Sequence, residues 1–201
     1  MKSFKARGIV LKQTPVGESD MYVDLLLKDI GKLSVSARGA RKLISKFLAG
    51  TQQFTYADFV IYNGGRFNCM SQIDVIEGFY GLRNDYDKFC YGSYFLELCN
   101  KAIIPGEECD DVLKLLLKTL SVVSNGKVCP ELAARVFELK FLQLNGYFPE
   151  YKTCSVCGEL LQDSVHFCSN GCVCSECSGR LPKAFPVTQG LIQALNYIEY
   201  A

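Results

Sequence analysis

The chain has 201 residues, 49% of them hydrophobic and 12% aromatic, which supplies a real core and excludes a disordered chain. The net charge of +1 hides an imbalance: the first fifty residues carry ten basic and four acidic side chains, leaving that segment at +6 and the remainder at −5. One part of the chain is therefore expected to meet a polyanion. No apolar run is long enough to cross a membrane, and the opening MKSFKARGIVLKQ lacks the apolar stretch of a secretory signal.

Strand-like patterning runs from Phe4 to about Gly78. Phe4–Lys12 centres on Ile9-Val10-Leu11, and Pro15-Val16-Gly17 reads as a turn. Met21–Lys28 follows, turned back by Asp29-Ile30-Gly31. Lys32–Ala37 alternates apolar and polar residues, the period of a half-buried strand. Gln53–Tyr62 and Arg66–Phe79 flank Asn63-Gly64-Gly65, a hairpin signal. Five strands in about 80 residues predict a small barrel. Between the third and fourth strands, Arg38–Ala49 is read as a short helix with Leu43, Phe47 and Leu48 on one side, where the five-stranded OB-fold commonly carries one.

Beyond Leu82 the period becomes helical. A first helix is predicted through Leu82, Phe89, Leu96 and Ile103, stopped by Pro105-Gly106. A second opens at Asp110-Asp111 and closes at Asn125-Gly126; a third opens at Pro130 and runs to Asn145-Gly146. Leu96, Leu116, Phe137 and Phe141 are expected core. Pro182 and Pro186 break the chain, and Thr188 caps a last helix, Gln189–Tyr200. The fold class is α+β: a five-stranded barrel at residues 1–80, then a helical domain at 81–201 carrying a metal-binding loop at 151–180.

That loop holds the most specific pattern. Cys154/Cys157 and Cys174/Cys177 are two Cys-x-x-Cys pairs separated by sixteen residues. Each such turn brings two thiolates to one metal, and two turns close a tetrahedron with Zn–S bonds of about 2.3 Å. Four thiolates leave no open position, so one structural Zn²⁺ per chain is expected. Gly158 and Asn170-Gly171 supply tight backbone. Cys168, Cys172 and the lone histidine, His166, lie in the same loop and compete as ligands. The other five cysteines are scattered and odd in number, which argues for a reducing cytoplasm.

Lys32, Arg38, Arg41, Lys42 and Lys46 cluster around the third strand, and Lys5 and Arg7 of the first strand could join them in one groove. Such residues bind phosphates without reading sequence. Phe47, Phe54 and Tyr56 are either base-stacking platforms or core. No nucleotide-binding Gly-rich loop, no His-Glu-x-x-His and no deaminase His-x-Glu is present, so no catalytic site is expected.

These residues together make the chain resemble the RecO family of bacterial recombinational repair proteins. The segments that carry the likeness are KARGIVLKQTPVGESDMYVDLLLKDIGKLSVSARGARK, QQFTYADFVIY, YGSYFLELCNK and ELKFLQLNGYFPEYKTCSVCG. The resemblance implies an OB-fold followed by a helical domain with a zinc loop, held by Cys154, Cys157, Cys174 and Cys177. It implies binding of single- and double-stranded DNA, annealing, and loading of RecA with RecR onto DNA coated by single-strand-binding protein, whose C-terminal tail is also bound. It makes Arg38, Gly39, Ala40, Arg41 and Lys42 a DNA-contact region and places the protein in the bacterial cytoplasm with the nucleoid. Cys168 and Cys172 depart from the family pattern. Members usually continue past the position of Ala201 through further helix, where part of the tail-binding surface is built. The competing readings are a thiol or metal enzyme, disfavoured by the closed ligand set, and a zinc-containing adaptor without DNA contact.

Overall fold

Ile9, Val10 and Leu11 are buried on both faces of the first strand, so this stretch threads the centre of its unit. A computed structural model describes residues 3–65, 67–148, 150–161, 165–169 and 171–200. Asn170, assigned to a turn above, and Arg66, placed at a strand start, lie outside these residues. The chain divides into two compact units, Met1–Phe137 and Glu138–Ala201.

The first unit opens with β1 (Ser3–Val16), β2 (Asp20–Leu27), β3 (Gly31–Ala37), β4 (Tyr56–Asn63) and β5 (Asn68–Glu77). They close into a barrel in the order β1-β2-β3-β5-β4, sealed by antiparallel β1–β4 pairing and a short parallel β3–β5 pairing. This is the expected five-stranded OB-fold. Val10, Val23, Leu25, Val35, Ala57, Phe59 and Ile61 fill the interior. β1 runs through Pro15 and Val16, which were expected in a turn. Both pair with β2, and the chain reverses at Gly17, whose φ of 57° suits a residue without Cβ.

The predicted helix at Arg38–Ala49 is absent. The segment is a series of tight turns with hydrogen bonds three residues apart: Lys42 N–H to Gly39 O, Ser45 to Lys42, and Leu48 to Ser45. Leu43 faces solvent and Phe47 enters the barrel core, so the two do not share the side that a helix would give them. Phe54 is wholly buried, which removes it and Phe47 from the base-stacking candidates; Tyr56 is half-buried.

A 3-10 turn at Tyr80–Leu82 leads into α1 (Tyr86–Ala102), which packs on β1. The Asp85 carboxylate caps α1 by accepting from Lys88 N–H at 3.0 Å. α2 (Asp110–Ser124) has two aspartates in its first turn, favourable against the helix dipole, and ends before Gly126 at φ 66°. α3 (Pro130–Leu144) begins on proline. Leu96, Leu116, Phe137 and Phe141 are buried as expected, with the Phe95 and Phe137 ring centroids 4.7 Å apart. The β2–β3 turn is tied to the helices. Lys32 Nζ donates to Asn100 O at 2.5 Å, Gly106 N–H to Lys32 O at 3.2 Å, and Asp29 N–H to the Asp110 carboxylate at 2.8 Å.

The second unit surrounds the cysteine loop. β6 (Val165–Cys168) and β7 (Gly171–Cys174) form a hairpin, α4 (Ser175–Ser178) follows, and β8 (Phe185–Val187) pairs with the other edge of β6. Pro186, read as a breaker, sits in β8 on the sheet's edge, where a missing N–H is tolerated. α5 (Gln189–Tyr200) is capped by the Thr188 hydroxyl, which accepts from Leu191 N–H at 3.3 Å. Tyr151 anchors α5 with a hydroxyl that donates to the Glu199 carboxylate and lies 3.0 Å from Asn196 Oδ1, while Lys152 pairs with Glu199 at 2.8 Å.

Candidate nucleic-acid interface and metal centre

The basic residues expected to share one groove fall into three settings. Lys5 and Arg7 point from β1 toward β4, where Asp58 stands opposite Arg7 in the strand register. The Arg7 guanidinium makes two bonds to the Asp58 carboxylate, at 2.7 and 3.1 Å, and Lys5 adds a third contact at 3.1 Å. Arg7 first, then Lys5, holds the Asp58 carboxyl down at about 2. This end of the barrel is thus two cations around one carboxylate. Lys32 spends its ammonium on the Asn100 carbonyl, which makes it a tie between β3 and α1.

Arg38, Arg41, Lys42 and Lys46 stand apart, on the segment of turns after β3. Asp20 organises its start by accepting from Gly39 N–H at 2.8 Å, the main reason its carboxyl lies below the usual range. Arg41 clasps the β1–β2 turn through its N–H to Ser19 O at 3.0 Å and its guanidinium to Gly17 O at 2.8 Å. Lys46 reaches Ser71 O at 3.0 Å and lies over the Phe47 ring. Arg41 and Lys46 therefore bond to carbonyls, which orient a cation without cancelling it. The Arg38 and Lys42 side chains are exposed and make no hydrogen bond or ion pair among the described residues, though both charges help hold the Asp20 carboxyl down.

The fold adds aromatic side chains that sequence reasoning passed over. Tyr22 of β2 meets Phe67 of the β4–β5 hairpin at 6.1 Å between centroids, and Phe67 is 55% exposed. Tyr22 pairs with Ser36, Ser36 with Cys69, and Cys69 with Tyr62, whose hydroxyl feels the charge of Arg38. An outer barrel face bearing rings thus lies beside the Arg38 guanidinium. On the far side of Lys46, a cleft of about 450 Å³ is lined by Ser45, Lys46, Gln52, Tyr80 and Arg83. Arg83 lies over the Tyr80 ring and donates to Gln53 O at 2.7 Å, again a cation on a carbonyl. The signal for Phe67 was its place two residues beyond the Asn-Gly-Gly turn, near the tip of the hairpin.

In the second unit the four paired cysteines converge. The sulfurs of Cys154, Cys157, Cys174 and Cys177 all lie within 4.8 Å of one another, with Cys157 and Cys174 at 3.9 Å. A tetrahedral zinc with bonds of about 2.3 Å separates its sulfurs by about 3.8 Å, so the donor set fits that ion. Gly158 at φ 76° and Gly171 at φ 109° make the reversals beside the two pairs. Backbone N–H groups, that of Cys157 foremost, lower Cys154 to about 6, whereas the hydrogen bond with Cys174 pushes Cys177 up to about 12. Thiolates this close repel one another, so full deprotonation calls for a cation among the sulfurs. Cys168 and Cys172 stand outside this group. Cys168 bonds Gly171 O at 3.3 Å, and Cys172 packs with Tyr151 and Val165. His166 lies on β6, also outside the four-sulfur cluster.

Two family models match the chain: Recombination protein O N terminal over residues 1–79, and Recombination protein O C terminal over residues 83–201. The DNA repair protein RecO of Acetivibrio thermocellus is 34% identical over all of this chain and 81% of its own length. The proteins of that name from Alkaliphilus metalliredigens and Clostridium acetobutylicum are each 32% identical, over 96% and 98% of this chain and 80% of their own lengths.

Proposed function

This chain belongs to the RecO family of DNA repair proteins, and from that premise we propose that it is a non-enzymatic, DNA-binding recombination mediator. It binds single- and double-stranded DNA, anneals complementary strands, and with RecR helps load RecA onto DNA coated by single-strand-binding protein. It engages the C-terminal tail of that coating protein and works in the bacterial cytoplasm with the nucleoid. Residues 1–80 serve as the nucleic-acid module. Residues 81–201 carry the loop at 151–180, whose Cys154, Cys157, Cys174 and Cys177 hold one structural Zn²⁺. Bound there, zinc supplies a cross-link between the two cysteine turns.

The observation that carries this reading is the segment bearing Arg38, Arg41, Lys42 and Lys46, with its cations bonded to carbonyls or left open. Such a surface grips phosphates and leaves base edges free, which annealing requires. Lys5 and Arg7, already engaged by Asp58, and Lys32, half-buried where Arg41 and Lys46 are exposed, act as secondary contacts.

The test is the salt slope of DNA binding. Every phosphate that the triple variant Arg38→Ala/Arg41→Ala/Lys42→Ala no longer grips lowers the slope by about one on duplex and weakens all sequences alike. We expect that variant to anneal poorly while keeping its fold by circular dichroism. A folded variant with the parent's slope would move DNA elsewhere and leave the barrel as a protein-contact module.

A further inference from the structure

Leu43 and Ile44 are 92% and 97% exposed, the most exposed of the large hydrophobics among the described residues. They occupy the two central positions of a tight turn closed by Ser45 N–H on Lys42 O at 2.9 Å. Such positions usually fall to Pro, Gly, Asn, Asp or Ser, so two bulky aliphatics satisfy neither turn chemistry nor burial.

The turn is held from both sides. Ala40 and Phe47, just before and after the 41–46 arch, are buried in the barrel core. Arg41 is pinned to Ser19 and Gly17, and Lys46 to Ser71. Six residues between such anchors have little slack, and the aliphatic pair is presented in place before any partner arrives. Little conformational entropy remains to be given up on binding.

The flanking charge narrows the occupant. Arg41, Lys42 and Lys46 share the arch and Arg38 stands at its foot, so the partner is apolar at its centre and anionic around it. Stacked bases between phosphates have that make-up. Two side chains are too small a footprint for a standard protein interface of about 1,200–2,000 Å². They match a single base step, where Leu and Ile side chains of other DNA-binding proteins insert as wedges.

We propose that Leu43 and Ile44 form a wedge that enters between adjacent bases of bound DNA and unstacks one step, while the surrounding cations hold the phosphates; this rests on the DNA-binding reading above. Unstacking at the grip opens weak secondary structure in a strand and offers its bases to a complement.

The full chain is tested with oligonucleotides carrying 2-aminopurine, whose fluorescence rises when it unstacks. The parent raises the signal at saturation. Leu43→Ser/Ile44→Ser keeps its circular dichroism, its salt slope and its affinity within about threefold, since phosphate contacts supply most of the binding, and loses most of the rise. Leu43→Met/Ile44→Leu restores it. A serine variant with the parent's rise, or a parent that binds without any rise, overturns the wedge and leaves the DNA-binding reading intact. A parent showing no salt-dependent binding overturns that reading itself. Anionic phosphatidylserine vesicles form the last arm. Vesicle binding that depends on Leu43 and Ile44, with the fluorescence rise unaffected by the serine variant, makes the tip a lipid contact and overturns the proposal.

Discussion

Phe54 combines a left-handed backbone, φ 70°, with a ring that is wholly buried, edge-on to Phe89 at 5.7 Å. A non-glycine residue in that region costs of order 1–3 kcal/mol, and the buried ring offsets it. Phe54→Ala should therefore lose about 3–5 kcal/mol in urea unfolding. Phe54→Gly should be less harmed than the alanine variant by about 1 kcal/mol, because only the backbone strain is relieved. An alanine variant as stable as the glycine one would mean the strain is not there. Residues such as this were half legible. Phe47, Phe54 and Tyr56 stood out in the sequence, but whether a ring stacks on DNA or fills a core depends on neighbours distant in sequence. Gly92, which leaves room for the Phe54 ring, is one such neighbour.

Among the elements, the cysteine knuckle was the most legible, because its ligand spacing is local and repeated. Metal analysis should find about one zinc per chain, and Cys154→Ser and Cys174→Ser should each lose it and unfold the second unit, since a structural zinc is also folding energy. Cys168→Ser should keep its metal, as the sulfur bonds Gly171 O outside the four-sulfur cluster. Zinc retained in both ligand variants would discard the assignment. The hairpin β6–β7 was not legible, since half of its residues are cysteines and glycine whose patterning reads as metal chemistry. The Arg38–Ala49 segment misled for another reason. Leu43 and Phe47 are four apart, the helical interval, but turns three residues apart send them to opposite environments. Periodicity records burial, and Leu43 is not buried.

At the scale of the molecule, the barrel and the first helices fold as one unit. Lys32, Gly106, Asp29 and Asp110 stitch the β2–β3 turn to the helical region, and a side chain on Gly31 would collide with the Glu107 backbone. A fragment of residues 1–80 would strip α1 from β1 and expose Phe54. It should show no cooperative thermal transition, whereas a fragment ending at Leu144 should melt sharply. A sharp melt of the short fragment would show the barrel to be self-sufficient. The sequence marked the change from strand to helix near residue 80, because periodicity changes there. It could not mark where packing is shared, because that depends on long-range contacts such as Lys32 on Asn100.

The Asp58 pairing bears on how the chain comes to be made. β1 is made before its partners and finds β2 close behind it, but its other edge pairs with β4, about fifty residues later. Until then that edge offers unpaired backbone groups to any passing strand, the hazard of late-closing sheets in crowded nascent chains. Lys5 and Arg7 stand on this waiting edge, and their unopposed charge repels a second copy carrying the same pair. When β4 arrives, it brings Asp58 to the register position of Arg7, and the repulsion becomes the clasp that shuts the barrel. The same two side chains thus guard the strand before closure and select its proper neighbour at closure.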